Sequence, residues 1–440
     1  MDLLKNIFKG DKIVWIIFLC LCLISIVEVF SAASTLTYKT GDHWEPITQH
    51  SIILMVGAVV VVLMHNIPYK WFQVFPVFLL PLSMALLAFV TLMGVITGDR
   101  VNGAARWMSF MGLQFQPSEL AKMAVIIAVS FILSKKQDDE GANPKAFKYI
   151  LIITGIICLL IAPENLSTAL LLFGVVFLLM FIGRVSARKL FTLMGVITAV
   201  VALAVLFLLA IPKDTDVPFL HRFDTWKSRI VNFTNKEEIP AAKFDIDKDA
   251  QIAHARIAIA TSQAIGKGPG NSVQRDFLSQ AFSDFIFAII IEELGLVGGG
   301  FVVCLYIWLL VRAGRIAQRC ERTFPAFLVM GIALLLVSQA LLNMMVAVGL
   351  FPVTGQPLPL ISKGGTSTLI NCAYIGMILS ISRYVARLEE RKQHDAQLLL
   401  TIETGNSEAQ TATEPTAQIL NSDAQFEDDG KTRHSARTKQ

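Results

Sequence analysis

Charged residues are scarce in this chain, because Asp, Glu, Lys and Arg together make up only 16% of its 440 residues. A soluble domain usually carries about a quarter charged residues, so the composition argues against a soluble globular protein. Apolar residues make up 54% of the chain. They fall into runs of roughly 17–28 residues, and about 20 helical residues cross the hydrocarbon core of a bilayer. The composition therefore predicts an all-α polytopic membrane protein.

Motifs of soluble enzymes are missing as well. The sequence contains no GxxxxGK[ST] phosphate loop, no HExxH zinc motif and no GxSxG nucleophile elbow. Its seven histidines show no metal-ligand spacing, and its six cysteines lie in or next to apolar runs without a CxxC pair. We therefore expect no metal site built from these residues and no structural disulfide. The net charge of +4 is spread over many loops, which argues against a nucleic-acid partner.

Ten apolar segments are long enough to be transmembrane helices. The first segment follows Lys5, Lys9 and Lys12 without a small-residue cleavage site, so we interpret it as an anchor rather than a removable signal. The predicted spans are 13–34, 47–67, 71–97, 117–134, 147–163, 166–183, 190–212, 285–312, 324–350 and 365–386.

The basic residues predict the orientation of these spans. Nineteen Lys and Arg residues lie at one set of span ends, whereas the short loops on the other side hold four, Lys39, Arg100, Arg106 and Lys363. The positive-inside rule places the first set in the cytoplasm, and both termini with it. One long segment, about 213–283, then lies outside the membrane before the eighth span.

The domain organisation follows from these spans. We predict a cytoplasmic N-terminus over 1–12, a membrane domain over 13–386 and a cytoplasmic tail over 387–440. The tail is rich in Thr, Ser, Glu, Gln and Asp and has few large apolar residues, so we expect it to be disordered. The long outward segment contains one amphipathic stretch near 250–264.

Asp284 stands where the long polar segment ends and the apolar run FIFAIII begins. One interpretation is a helix N-cap, because an Asp side chain accepts hydrogen bonds from the free N–H groups of a first turn. The other is a general base in a partly desolvated niche. Position alone leaves both roles open for this carboxylate.

Four further ionisable residues within predicted spans are candidates for a functional role. Glu292 and Glu293 are two turns deeper than Asp284, and Glu119 and Lys122 share one face of the fourth span. A charge at membrane depth is costly, so each is either functional or paired with an opposite charge. For Glu119 and Lys122 the alternatives are an ion pair within their helix and the polar wall of a substrate cavity. Arg106 either anchors the chain at the interface or belongs to that cavity.

Six short sequence elements with polar residues lie between residues 102 and 367. They are NGAARW (102–107), FQPSELAK (115–122), PENLSTAL (163–170), GKGPGNSVQ (266–274), FSDFIFAIIIEELGLVG (282–298) and TGQPLPLISKGGTS (354–367). In order and spacing they resemble the motifs of the SEDS family, whose FtsW, RodA and SpoVE branches polymerise peptidoglycan glycan strands. The NSVQ form of the fourth element is closer to the FtsW branch than to the RodA branch.

The chain departs from the family pattern at several positions. Ser279 and Gln280 stand where the family has Pro and Glu, Asn165 stands where it has Asp, and Lys363 stands where it has Tyr. The missing Glu removes an acidic group just ahead of the fifth element. The aspartate of that element, Asp284, is present.

The resemblance implies a peptidoglycan glycosyltransferase. Its substrate would be lipid II, a disaccharide-pentapeptide on undecaprenyl pyrophosphate. The enzyme would join it into a β-1,4 glycan strand at the outer face of the cytoplasmic membrane, with inversion at the anomeric carbon. The resemblance assigns Asp284 as the catalytic base. The predicted substrate-binding residues are Glu119, Lys122, Arg106, Arg222, Arg229, Arg275 and Glu292.

The resemblance also implies a source of positive charge for the leaving group, and it implies protein partners. The departing pyrophosphate needs positive charge, which comes either from these Lys and Arg side chains or from a divalent cation, Mg²⁺ or Mn²⁺. The implied protein partners are a class B penicillin-binding transpeptidase and other division or elongation proteins. The FtsW-like element favours septal cell-wall synthesis during cell division.

Two other functions are compatible with ten membrane helices. A flippase would move lipid II across the membrane and would need no base at the outer face. Inverted repeats would support a transporter, and the sequence shows none. A scaffold would recruit a transpeptidase without catalysis, and its partner binding would survive substitution of every polar residue named above.

The predicted topology can be tested by cysteine labelling from outside the cell. A single Cys introduced near Asn235 should react with an impermeant reagent, whereas one introduced near Gln410 should not, because the loop charges place them on opposite sides. The reverse pattern would place Asp284 on the cytoplasmic face and contradict the topology.

Overall fold

Long α-helices form nearly all of the fold in the computed structural model, which describes residues 9–32, 44–96, 107–110, 113–138, 141–210, 249–278 and 281–434. The helices are α1 (Lys12–Ala32), α2 (Glu45–Asn66), α3 (Phe75–Ile96), α4 (Pro117–Lys135), α5 (Pro144–Ile182), α6 (Ala187–Ala210), α7 (Asp249–Thr261), α8 (Ile286–Gln318), α9 (Thr323–Ala347) and α10 (Gly365–His434). Helix α7 coincides with the amphipathic stretch of the outward segment. The fold is therefore all-α and polytopic, as the composition predicts.

Two short antiparallel strand pairs lie at either end of α4. Strand β1 (Met108–Phe110) pairs with β2 (Leu113–Phe115) ahead of the helix. Strand β3 (Gln137–Asp138) pairs with β4 (Gly141–Ala142) after it. These pairs are connections between helices and form no core of their own.

Helix α5 is a hairpin of two helical arms rather than one rod. Its 39 residues would extend about 58 Å if straight. Instead, the N–H of Ala142, just before the helix, donates to the carbonyl of Arg184, just after it, at 3.2 Å. The chain reverses at Asn165, whose φ of −151° and ψ of 78° are not helical. Asn165 Oδ1 accepts from the N–H of Thr168 at 3.2 Å, which caps the second arm.

The described residues contain ten apolar helical segments. Eight helices are long and apolar enough to cross a membrane, α5 among them. Because α5 doubles back, it supplies two arms, which correspond to the predicted spans 147–163 and 166–183. Helix α6 adds a further 24-residue apolar segment. The helix count therefore agrees with the ten predicted spans.

Contacts at the two ends of the bundle agree with the predicted grouping of the loops. At one end, Arg312 Nε lies 2.6 Å from Asp11 Oδ2, the N–H of Asp11 donates to Ser382 Oγ at 2.5 Å, and Arg383 Nη1 donates to Asn66 Oδ1 at 3.0 Å. All five residues belong to span ends on the side rich in Lys and Arg. At the opposite end, which we call the motif end, the elements over 115–122, 163–170, 266–274, 282–298 and 354–367 contact one another. The element over 102–107 lies outside the described residues except for Trp107.

Helix α4 runs through the middle of the bundle. It contacts α3, α5 and α9, and its residues 121–130 are all buried. A helix that is covered around its whole circumference leaves no exposed face for a charged side chain. Any charge on α4 therefore needs a partner inside the protein.

Helix α10 continues beyond the last predicted span, to His434. The chain divides into two compact units after Tyr384. The predicted disorder of the tail stays a prediction. Strong helix formers, Ala, Leu, Glu, Arg, Lys and Gln, dominate 386–400 and favour the helix there.

Helix α8 is interrupted at Gly295, which has a φ of 73° and a ψ of −176°. The interruption frees carbonyls of the preceding turn, and the glycine-rich loop (residues 266–275) bonds to them. The N–H of Lys267 donates to the carbonyl of Glu292 at 3.0 Å, and the N–H of Gly268 donates to that of Glu293 at 2.8 Å. The loop is thus docked on backbone groups that a regular helix would have used itself.

The approach between this loop and α8 leaves no room for a side chain at Gly266. A Cβ atom there would lie 2.3 Å from the N of Gly295 and 2.4 Å from the O of Glu293. Gly266 also has a φ of 81°, which residues with a side chain rarely adopt. Sterics and backbone conformation both require glycine at this position.

Substitution of Gly266 should therefore undock the loop. We expect Gly266→Ala to lower the free energy of unfolding by at least about 1–3 kcal/mol, because the backbone is strained and two hydrogen bonds are displaced. Gly300→Ala is the matched control, since its added Cβ meets nothing within 4 Å. Equilibrium unfolding in detergent should show a clear loss for Gly266→Ala and none for Gly300→Ala. Equal stability of the two variants would contradict the docking.

Candidate active site

Residues 282–284 lie at the motif end, and we call them the catalytic turn because they include Asp284, the predicted base. Each of the three backbone carbonyls of this turn accepts a hydrogen bond. The N–H of Lys363 donates to the first carbonyl at 2.9 Å. The hydroxyl of Ser362 donates to the second at 2.6 Å, and the side-chain amide of Asn343 donates to the third at 2.8 Å. Every carbonyl of the turn thus has a donor from the 354–364 segment or from α9. This arrangement fixes the backbone that carries Asp284.

The Asp284 side chain is half-buried. Its Oδ1 accepts a hydrogen bond from Ser283 Oγ at 2.9 Å. Helix α8 begins at Ile286, and its N-cap residue is Phe285. Asp284 therefore does not occupy the N-cap position, which was one of the two interpretations of this residue. A carboxylate on a fixed backbone, still partly open to its surroundings, is the geometry that a general base needs.

Glu119 and Lys122 form an ion pair inside the bundle. Lys122 Nζ lies 2.8 Å from Glu119 Oε1, and the two residues are 0% and 1% exposed. Lys122 Nζ also donates to Gln339 Oε1 on α9 at 2.8 Å. The intrahelical ion pair, one of the two alternatives for these residues, is confirmed. The sequence of the fourth span did not predict the contact between Lys122 and Gln339 on α9.

Two amides on α9 connect this pair to the catalytic turn. Gln339 Nε2 donates to the carbonyl of Pro357 at 3.0 Å, and Asn343 Nδ2 donates to that of Gln356 at 2.8 Å. Gln339 and Asn343 are one helical turn apart and share a face. The same face of α9 therefore contacts Lys122, the 354–364 segment and the catalytic turn.

Glu292 holds the glycine-rich loop with its side chain. The carboxylate is fully buried and lies 2.6 Å from Lys267 Nζ. It also accepts from Ser272 Oγ at 2.5 Å and from the N–H groups of Val273 and Gln274, each at 3.2 Å. These contacts match the structural alternative, pairing with a basic residue, although that residue is on a loop. Binding of substrate by Glu292 stays a prediction.

Glu293 anchors the same loop and brings Arg275 to α1. It accepts from the N–H of Gly270 at 2.9 Å and of Ser272 at 3.2 Å, and from the hydroxyl of Ser31 on α1. Arg275 Nη1 donates to Ser31 Oγ at 2.9 Å and lies 4.0 Å from Glu293 Oε1. The structure therefore places Arg275 beside the carboxylate of Glu293.

Three of the predicted substrate-binding residues cannot be placed relative to Asp284, because Arg106, Arg222 and Arg229 are not among the described residues. Within the described part of the chain, no group of three or more His, Cys, Asp and Glu side chains could hold a metal ion. The described residues therefore offer no ready set of ligands for Mg²⁺ or Mn²⁺, and a divalent cation stays a prediction.

A cavity with apolar walls and polar groups lies between α3, α4 and α5. Asn165 Nδ2, at the reversal of α5, is buried beside it without a hydrogen-bond partner. The cavity's volume of about 20 Å³ is room for about one water molecule and is far too small for a lipid chain. The cavity is lined by Leu87, Val90, Thr91, Pro117, Ser118, Leu160, Ile161, Glu164 and Asn165.

Gln339 and Asn343 were not predicted from the sequence to belong to the site. Both lie in the predicted span 324–350, where two amides one turn apart in an apolar run were the available signal. Ser362 and Gln356 lie in a recognised element but were not assigned a role. Their importance depends on partners that are far away in sequence.

The buried pair on α4 makes a prediction about stability. Lys122→Met removes the cation and leaves Glu119 buried without its charge partner, so unfolding should require about 3–5 kcal/mol less. An exposed helical pair would contribute only about 0.3–0.5 kcal/mol. The double variant Lys122→Met with Glu119→Gln should recover much of the loss in the same unfolding measurement in detergent. A single variant as stable as the parent would contradict the buried pair.

Comparison with known proteins supplies the family. A family model described as "Cell cycle protein", covering FtsW, RodA and SpoVE, matches residues 11–387. A probable peptidoglycan glycosyltransferase FtsW from Geobacter metallireducens is 30% identical over 382 residues, which cover 86% of this chain and 96% of the relative. One from Trichlorobacter lovleyi is 32% identical over 388 residues, which cover 87% and 96%.

Solved structures show the same fold. A chain from a peptidoglycan synthase complex that coordinates polymerization and crosslinking has a TM-score of 0.66 at 24% identity, covering 86% of this chain and 99% of that one. RodA of Thermus thermophilus has a TM-score of 0.59 at 23% identity, covering 86% and 98%. These matches confirm the resemblance carried by the six elements, and this chain belongs to the SEDS family of FtsW, RodA and SpoVE.

Proposed function

We propose that this chain is a peptidoglycan glycosyltransferase of the FtsW type, with Asp284 as its general base. The observation that carries the proposal is the catalytic turn, whose three carbonyls are each held by a donor while the Asp284 carboxylate stays partly open. The names of the curated relatives support the activity. The apolar helices support a multi-pass membrane protein.

The proposed substrate is lipid II. Asp284 takes the proton from the acceptor sugar hydroxyl as that oxygen attacks the anomeric carbon of the donor. The bond from that carbon to the lipid pyrophosphate breaks, and undecaprenyl pyrophosphate leaves. One base and a stabilised leaving group suffice for this inverting displacement, whereas a retaining mechanism would need a second carboxylate as nucleophile. The product is a longer β-1,4 glycan strand.

The positive charge for the leaving group has several candidates. Lys122 and Arg275 are held beside Glu119 and Glu293, respectively. Their positive charge is therefore partly neutralised before a substrate arrives. Residues 106, 222 and 229 supply three more arginines, and a divalent cation would supply the same stabilisation from the substrate side.

We place this activity at the outer face of the cytoplasmic membrane, in septal wall synthesis during cell division. The loop charges support the orientation, since the motif end lies on the side poor in Lys and Arg. A polymerase of this kind needs crosslinking of its product, so we propose a class B penicillin-binding transpeptidase as partner, together with other division or elongation proteins.

The base assignment is tested by Asp284→Asn. The amide keeps the size of the side chain but cannot accept the proton, so polymerisation should fall by about two orders of magnitude or more. Stability should be nearly unchanged, because the backbone contacts of the turn remain. The measurement is glycan polymer formed from lipid II by purified protein with its transpeptidase partner. Asp276→Asn, an exposed acid in the same outward segment, is the matched control.

The alternatives give other results. Near-normal polymer from Asp284→Asn would reject this base and direct the search to Glu292 or Glu293. Transport of lipid II across vesicles by both forms, with polymer from neither, would indicate a flippase. Partner binding without polymer or transport would indicate a scaffold.

A further inference from the structure

Asn343 makes two hydrogen bonds with one side-chain nitrogen. Its Nδ2 donates to the carbonyl of Asp284 at 2.8 Å and to the carbonyl of Gln356 at 2.8 Å. The residue is 1% exposed, so neither bond competes with water. Both hydrogens of the amide are used, while Asn343 Oδ1 has no hydrogen-bond partner. The side chain therefore serves as a double donor.

We propose that Asn343 is a positioning residue for the polymerase reaction, which sets the direction of the Asp284 carboxylate by holding the backbone of Asp284 against α9. The proposal rests on the role of Asp284 as the base. Asn343 bonds the main chain of Asp284, so it acts through that residue and is not itself catalytic.

The other two bonds to the catalytic turn have a different effect. Ser362 and Lys363 connect the turn to the 354–364 segment, and both ends of those contacts are irregular backbone. Asn343 connects the turn directly to a long, packed helix. Without it, the turn would have only its two bonds to the 354–364 segment and no bond to α9.

The 354–364 segment has its own contacts with the bundle. Gln339 Nε2 donates to the carbonyl of Pro357 at 3.0 Å, and Gln356 Nε2 donates to Thr168 Oγ1 at 2.5 Å. Loss of Asn343 should therefore displace the turn more than it displaces the segment. A displacement of about 1 Å at a catalytic group can cost on the order of a hundredfold in rate.

The test is a double-mutant cycle of Asn343→Leu and Asp284→Asn, with kcat and KM measured for lipid II polymerisation by the purified complex. Leu has the same branched arrangement of side-chain heavy atoms as Asn but no donor. We expect Asn343→Leu alone to lower kcat by about 30–100-fold with KM changed by less than about threefold. In the Asp284→Asn background, Asn343→Leu should lower kcat by less than about threefold, because Asn343 acts through the Asp284 carboxylate and that carboxylate is absent. Ser130→Ala is the control, since this buried hydroxyl bonds only the backbone of its own helix, at 2.7 Å.

The outcomes separate this proposal from the base assignment. Full activity of Asp284→Asn would reject the base, and with it the route through which Asn343 acts. If Asp284→Asn is inactive and Asn343→Leu has a normal kcat, the positioning role alone is overturned. The positioning role is also overturned if the losses of kcat in the two single variants multiply in the double variant. If Asn343→Leu does not fold, Asn343→Ser keeps one donor and should lower kcat at least fivefold at unchanged KM. An unchanged kcat in that variant would overturn the proposal.

Discussion

The carbonyl groups of the catalytic turn must be satisfied within an apolar helix bundle, and the way in which they are satisfied organises the motif end. A backbone carbonyl that is partly removed from water needs a hydrogen-bond donor, and each of these three has one from the protein. The donors come from the 354–364 segment and from Asn343 on α9. Two elements that follow the turn in sequence therefore determine where Asp284 lies.

The first turns of α8 support the same region from the opposite direction. The carboxylates of Glu292 and Glu293 bind the glycine-rich loop, and the interruption at Gly295 lets the loop bond to freed carbonyls. The loop before the catalytic turn and the turn itself are thus both fixed, one by α8 and one by α9. Lys122, which pairs with Glu119 on its own helix, also connects α4 to α9 through Gln339.

The sequence was sufficient for much of the fold, because apolar length and loop charge are local properties. It predicted ten spans and identified Asp284 through a motif. It could not predict that Asn343 bonds a residue 59 positions earlier, since that contact depends on how α9 packs against the turn. Glu292 was interpreted from its depth alone, whereas its partners depend on the loop reaching back to α8. Helix formers extend α10 beyond the last predicted span, and disorder of the tail stays a prediction.

The central claim is that this chain itself joins lipid II into glycan, using a base held at the motif end. The most direct measurement supplies purified protein, alone and with a class B penicillin-binding transpeptidase whose crosslinking serine is replaced, with lipid II, and analyses the products for glycan strands. We expect β-1,4-linked strands and released undecaprenyl pyrophosphate in the preparation that contains the transpeptidase, with or without product from the protein alone. Intact lipid II from both preparations, with the protein folded and the complex formed, would contradict it.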